Sequence, residues 1–158
     1  MVRLHITNPY PNLPYSQPIP GTVTKTVPGE RRTMEYKFTI IGKLPGLNEY
    51  TSANRTHPQK GNKMKKDAEE VVIWSIRYQL SNLHITRPVL LKYEFYEPNK
   101  KRDLDNISSF SHKVIQDSLV KSGVLKNDGW NEIIGMLDQF YCDPAHPRIE
   151  VTIVEVGD

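Results

Sequence analysis

Val89-Leu90-Leu91-Lys92-Tyr93-Glu94-Phe95-Tyr96 is followed by Pro98 and then by Lys100-Lys101-Arg102-Asp103-Leu104-Asp105-Asn106. The first eight residues are rich in aromatic and aliphatic side chains and alternate toward their end, which predicts a strand. Pro98 has no N–H for a ladder and ends it. Beyond the charged segment, Ile107, Ser111, Val114, Ile115, Ser118 and Leu119 recur at helical steps and present one buried stripe. Gly123 follows as a C-cap.

Upstream, Tyr36–Gly42 alternates aromatic and β-branched residues and predicts an opening strand, closed by Gly42 and Pro45. Residues 45–62, punctuated by Pro45 and Gly46, read as an exposed loop. From Lys63 to Leu83, Ala68, Val71, Val72, Ser75, Ile76 and Leu80 predict a helix. Ile133–Tyr141 and Arg148–Val156 predict two more strands, joined as a hairpin by residues 142–147. The expected order is β-α-β-α-β-β. That is an α+β (α/β-like) domain, a small mixed sheet packed by two helices.

Six of the twelve prolines fall in residues 1–35, so this segment reads as a Pro-rich N-terminal arm with room for a short edge hairpin. Residues 36–158 form the expected folded domain. A length of 158 residues suits one core. With 37% hydrophobic and 25% charged residues, the chain is neither disordered nor collagenous. The single cysteine, Cys142, excludes an intrachain disulfide and a thiolate zinc cluster. No signal peptide and no apolar run of membrane-spanning length are seen, so a cytoplasmic protein without a membrane partner is expected. A net charge of +3 is too small to name a partner by itself.

The chemistry concentrates around residue 103. Read at the end of an extended strand, Asp103 and Asp105 point to one side, and two carboxylates that close suit a hard divalent cation such as Mg²⁺. The plain alternative is that Asp103 caps the following helix and Asp105 sits in its first turn. An EF-hand is excluded because Ile107 occupies a ligand position and Ser108 the turn-glycine position. Asn106, Ser109, Lys113 and Asp117 form a polar stripe along the helix, in which Lys113 either pairs with Asp117 or serves the acidic motif. Asp128 lies in the turn Lys126-Asn127-Asp128-Gly129-Trp130. If the start of the third strand meets the end of the second, Asp128 joins Asp103 and Asp105. Arg55, Lys60, Lys63, Lys65 and Lys66, with Lys100, Lys101 and Arg102, are either a solvated face or a phosphate-binding rim. Tyr50, Tyr96 and Trp130 read as partial core or as stacking platforms for unpaired bases. His84, His112 and His146 show no metal-ligand spacing.

Taken in order, Lys101-Arg102-Asp103-Leu104-Asp105-Asn106, Lys113, Asp117-Ser118-Leu119, Ser122-Gly123-Val124-Leu125 and Asn127-Asp128 resemble the RusA family of Holliday-junction resolvases. Phe38-Thr39-Ile40, Pro45 and Asn48 extend the likeness upstream, over roughly residues 36–156. The resemblance implies a homodimeric, Mg²⁺-dependent endonuclease, with Mn²⁺ able to substitute, acting on four-way junction DNA in recombination and repair. It implies metal ligation by Asp103, Asp105 and Asp128 and an essential Lys113. Asn106 and Asp117 are the candidates to support that site, and Asn48 with the basic residues the candidates to contact DNA. Two departures stand out. Lys113 lies one turn farther along the helix than in the best-known members, about 5 Å by helix rise, and Asn127 replaces a frequently acidic residue. A non-catalytic branched-DNA-binding module and a flap or general structure-specific nuclease are the alternatives.

Overall fold

The computed structural model describes residues 33–157. The N-terminal segment up to residue 32, with its expected arm and hairpin, lies outside the described residues. The elements are β1 (Met34–Ile41), α1 (Leu47–Thr56), α2 (Pro58–Gln79), β2 (Val89–Glu97), α3 (Leu104–Lys121), β3 (Ile133–Cys142) and β4 (Arg148–Glu155). The α+β class and the four strands agree with the sequence reading.

Residues 45–62 differ from it. They are not a loop: they form α1 and the first turn of α2, and α2 starts at Pro58 instead of Lys63 and ends at Gln79. The same residues that suggested irregular backbone mark helix starts. Gly46 is the N-cap of α1, and Pro58 is the first residue of α2, where its missing N–H costs nothing. At the far end of α3, Gly123 has a φ of +81° one residue past the C-cap Ser122, which glycine tolerates best.

The sheet order is β1-β4-β2-β3. β4 is antiparallel to both β1 and β2, and β3 runs parallel to β2 from Val89↔Ile133 to Glu97↔Cys142. The expected β3–β4 hairpin is therefore absent. Residues 143–147 cross the end of β2 to deliver β4 to its other side, and Asp143 donates its N–H to the Glu97 carbonyl at 2.8 Å on the way. β4 lies centrally because Ile149, Val151 and Ile153 are fully buried. A central strand saturates both backbone edges, which a hairpin at the sheet's margin would not.

Val89, Leu91, Tyr93 and Phe95 of β2 point into one core with Phe38 and Ile40, the β4 residues, Val72 and Ile76 of α2, and Val114, Ile115 and Leu119 of α3. Alternate residues form the opposite face, where Tyr96 stacks on Tyr141 and Arg148 lies 3.7 Å over the Tyr96 ring. Within the core, Tyr93 keeps its hydroxyl 3.3 Å from Gln116 Nε2. Burial raises its pKa well above the ordinary value, so it stays neutral.

The N-termini of α1 and α3 are fastened together. Asn106 Oδ1 accepts the Asn48 N–H at 2.9 Å, and a Cβ on Gly46 would lie 2.7 Å from that same oxygen. Gly46→Ala is expected to displace Asn106 and cost about 1–3 kcal/mol, read as a lower urea midpoint with an unchanged m-value.

Candidate active site

Glu97 ends β2, and five residues of charged loop lead to Asp103, the N-cap of α3. Asp103 and Asp105 are therefore not neighbours on an extended strand, as the spacing suggested. Asp103 has extended backbone (φ −67°, ψ 155°) but its side chain makes no capping bond. Asp105 sits in the first turn and accepts the Asn106 N–H at 3.0 Å. Both carboxylates are exposed, and the positive end of the helix dipole favours their charge. Asp103 also lines a 440 Å³ cleft with Glu97, Arg102, Leu104, Phe140 and Tyr141.

Arg102 anchors this turn. Its guanidinium forms a two-pronged pair with Glu97, which is 7% exposed, and donates to the Leu44 carbonyl at 3.0 Å. A planar guanidinium suits such bidentate pairing. Of the basic rim read from sequence, Arg102 is thus an internal strut. Lys65 is likewise engaged, 2.8 Å from Asp117 and 3.3 Å from Glu69. Lys63 pairs with Asp67 at 2.6 Å. Arg55, Lys60, Lys66, Lys100 and Lys101 are exposed, and the described residues place no ion pair on them. Lys60 and Lys63 border a 610 Å³ groove beside the end of β1. Asn48 stands exposed at the start of α1.

Lys113 and Asp128 meet away from the acidic turn. Lys113 Nζ is 2.9 Å from Asp117 Oδ1 and 3.8 Å from Asp128 Oδ2. Lys113 lies eight helical steps beyond Asp105, about 12 Å of rise. The route expected to bring Asp128 to Asp103 is closed by strand direction. Because β2 and β3 are parallel, the turn preceding Ile133 lies beside the start of β2, whereas Asp103 follows its end. Among the described residues, no group of three or more His, Cys, Asp or Glu side chains could hold a metal ion.

Two exposed carboxylates at a helix N-terminus still fit a hard divalent cation of the Mg²⁺ kind. Such an ion takes one or two protein carboxylates and completes its shell with water and substrate phosphate.

Three features escaped the sequence reading. Glu97 is buried and pinned to Arg102; its place on the buried parity of β2 was the available signal. His112 bonds Asp138 at 2.8 Å and packs on Tyr93, a contact between α3 and β3 that no spacing rule announces. Trp130 is 97% exposed, not partial core, whereas Tyr50 does pack against Phe110 with ring centroids 4.6 Å apart.

The family model described as endodeoxyribonuclease RusA matches residues 15–154. No curated protein matches the chain. No helix of the described residues is long and apolar enough to cross a membrane.

The Asp117 node yields a pH-dependent expectation. Burial works against its charge, but hydrogen bonds from Lys65 and Lys113 outweigh that and hold its pKa below the ordinary carboxylate value. A depressed folded pKa contributes stability above the unfolded value, about 3.9, and loses it as pH falls through the folded one. Asp117→Asn should cost about 1 kcal/mol or less near neutrality. In thermal unfolding from pH 7 to pH 2, the gap between wild type and variant should close only below the unfolded value.

Proposed function

The chain belongs to the RusA endodeoxyribonuclease family, and on that premise we propose that it is a divalent-metal-dependent, homodimeric resolvase that nicks four-way DNA junctions in recombination and repair. The observation that carries the reading is the family match together with an Asp103–Asp105 pair left exposed at a helix N-terminus, directly behind exposed Lys100 and Lys101.

Asp103, Asp105 and Asp128 would hold Mg²⁺ or Mn²⁺, which when bound supplies an activated water and charge neutralisation at the scissile phosphate. The chain's own residues do the remaining work. Lys100 and Lys101 bind backbone phosphates beside the acidic turn, while Asn48, Arg55, Lys60, Lys63 and Lys66 extend the contact along α1 and α2. Glu97 and Arg102 orient the acidic turn from beneath, and Asn106 fixes it to α1. Lys113 offers its ammonium to a phosphate oxygen next to Asp128. A two-fold dimer suits two symmetric nicks in opposed strands.

One observation favours a second reading: within one chain Asp128 is remote from Asp103 and Asp105, as in a branched-DNA-binding module without turnover. Cleavage separates the two. Asp105→Asn should reduce Mg²⁺-dependent nicking of a synthetic four-way junction by on the order of 10²-fold with junction binding retained. Unchanged nicking would sink the assignment, and a wild-type chain that binds without cutting would establish the second reading. Lys100→Ala with Lys101→Ala should weaken binding and flatten the plot of log affinity against log salt by roughly 1.5–2. Linear, flap and four-way substrates compared side by side test the preference for junctions.

A further inference from the structure

We infer that Lys65 is a positioning residue for the nicking reaction: anchored by the buried Glu69, it holds Asp117 so that Lys113 keeps its ammonium directed toward Asp128. This rests on the reading above, in which Lys113 serves a phosphate oxygen beside Asp128.

The anchor lies on α2. Glu69 is only 5% exposed, and a buried carboxylate is costly unless cations compensate it. Two ammonium groups do so from different elements. Lys121, at the end of α3, donates to Oε2, and Lys65, one turn back along α2, stands 3.3 Å from Oε1. That oxygen is buried and accepts no hydrogen bond among the described residues, which leaves the Lys65 charge as its compensation. Lys65 is accordingly held inward, its side chain 29% exposed against 75% for nearby Lys63.

Across the contact between α2 and α3, the same ammonium meets Asp117. The two oxygens of this carboxylate are divided: Oδ2 faces Lys65 at 2.8 Å and Oδ1 accepts from Lys113 at 2.9 Å. The hydrogen bond to Asp117 raises the Lys65 pKa above the ordinary lysine value, so the ammonium stays charged. This division has two effects. Lys65 fixes the plane of the carboxylate and with it the direction in which Oδ1 is presented. It also offsets the charge of Asp117 from behind, so that Lys113 is not neutralised by a single ion pair and keeps its attraction for a second anion.

Lys113 needs both effects. Its side chain is 61% exposed, and its ammonium lies between Asp117 at 2.9 Å and Asp128 at 3.8 Å. Holding a long exposed lysine in one geometry costs rotamer entropy, so its direction depends on how firmly Asp117 is itself held. Without Lys65, Asp117 is free to turn its vacated oxygen to the same ammonium and draw Lys113 away from Asp128. Lys65 touches neither the phosphate nor the metal in this scheme; it acts through Asp117 and Lys113.

A double-mutant cycle in the full-length protein tests this. For each variant the single-turnover nicking rate of a four-way junction at saturating Mg²⁺, the junction affinity over a salt series and the thermal unfolding curve are measured. Lys65→Met should slow nicking by about 10–100-fold with affinity and its salt dependence unchanged, and Lys65→Arg, which keeps the cation, should recover most of the rate. Asp117→Asn should slow nicking to a similar degree. The double variant should be no slower than the slower single one, because both substitutions break the same contact. A wild-type rate for Lys65→Met, or single effects that multiply in the double variant, overturns the inference. So does a salt slope reduced by roughly 0.9, the mark of a direct phosphate contact. Should Lys65→Met fail to unfold cooperatively, Asp117→Asn decides alone: a lost rate at unchanged affinity supports the inference and a wild-type rate overturns it. A Lys113→Ala chain that nicks like wild type overturns instead the lysine reading beneath it.

Discussion

Nine residues of β2 run side by side and in the same direction as β3, from Val89 against Ile133 to Glu97 against Cys142. Parallel strands cannot be joined by a tight turn, so the chain between them must travel back across the sheet. Here that return is α3. Its beginning therefore lies at the finishing ends of both strands and its end at their starts. The acidic turn, Lys113 and the Asp128 turn are strung along this one crossover, and their separation follows from the direction of pairing.

The acidic turn is held in place by Arg102 with Glu97 and by Asn106 with Asn48. Two carboxylates close together repel, and an exposed loop would relieve that repulsion by moving. Arg102 resists this because its guanidinium is satisfied three ways, by both oxygens of buried Glu97 and by the Leu44 carbonyl. Leaving either member of such a pair alone in a buried site is costly, on the order of 3–5 kcal/mol. Asn106 adds a second tie through Asn48. Loop, strand end and two helix starts are thereby tied together beneath Asp103 and Asp105.

A separate charge network joins α2 to α3. Lys65, Asp117, Lys113 and Asp128 alternate in sign along one chain of contacts, and Lys121 pairs with Glu69 beside it. Exposed pairs are individually weak, so its significance is placement more than stability. Lys113 is steered toward Asp117 and Asp128, one turn down the helix, and away from Asp105.

The elements governed by local periodicity were legible in the sequence: four strands, two long helices and the glycine after α3. The expectation that Asp103, Asp105, Lys113 and Asp128 work together came from the family resemblance instead. Side-chain period, proline and glycine are local signals, legible without neighbours. The helix at 47–56 was hidden because Pro45, Gly46 and Pro58 punctuate a helix start as readily as a loop. Contacts between distant segments were needed to place β4 between β1 and β2, to engage Arg102 and Lys65 internally, and to leave Trp130 in solvent. Such contacts also set β3 parallel to β2, because strand direction depends on which edge a returning chain finds free. That choice moved Asp128 from beside Asp103 to the far end of the sheet.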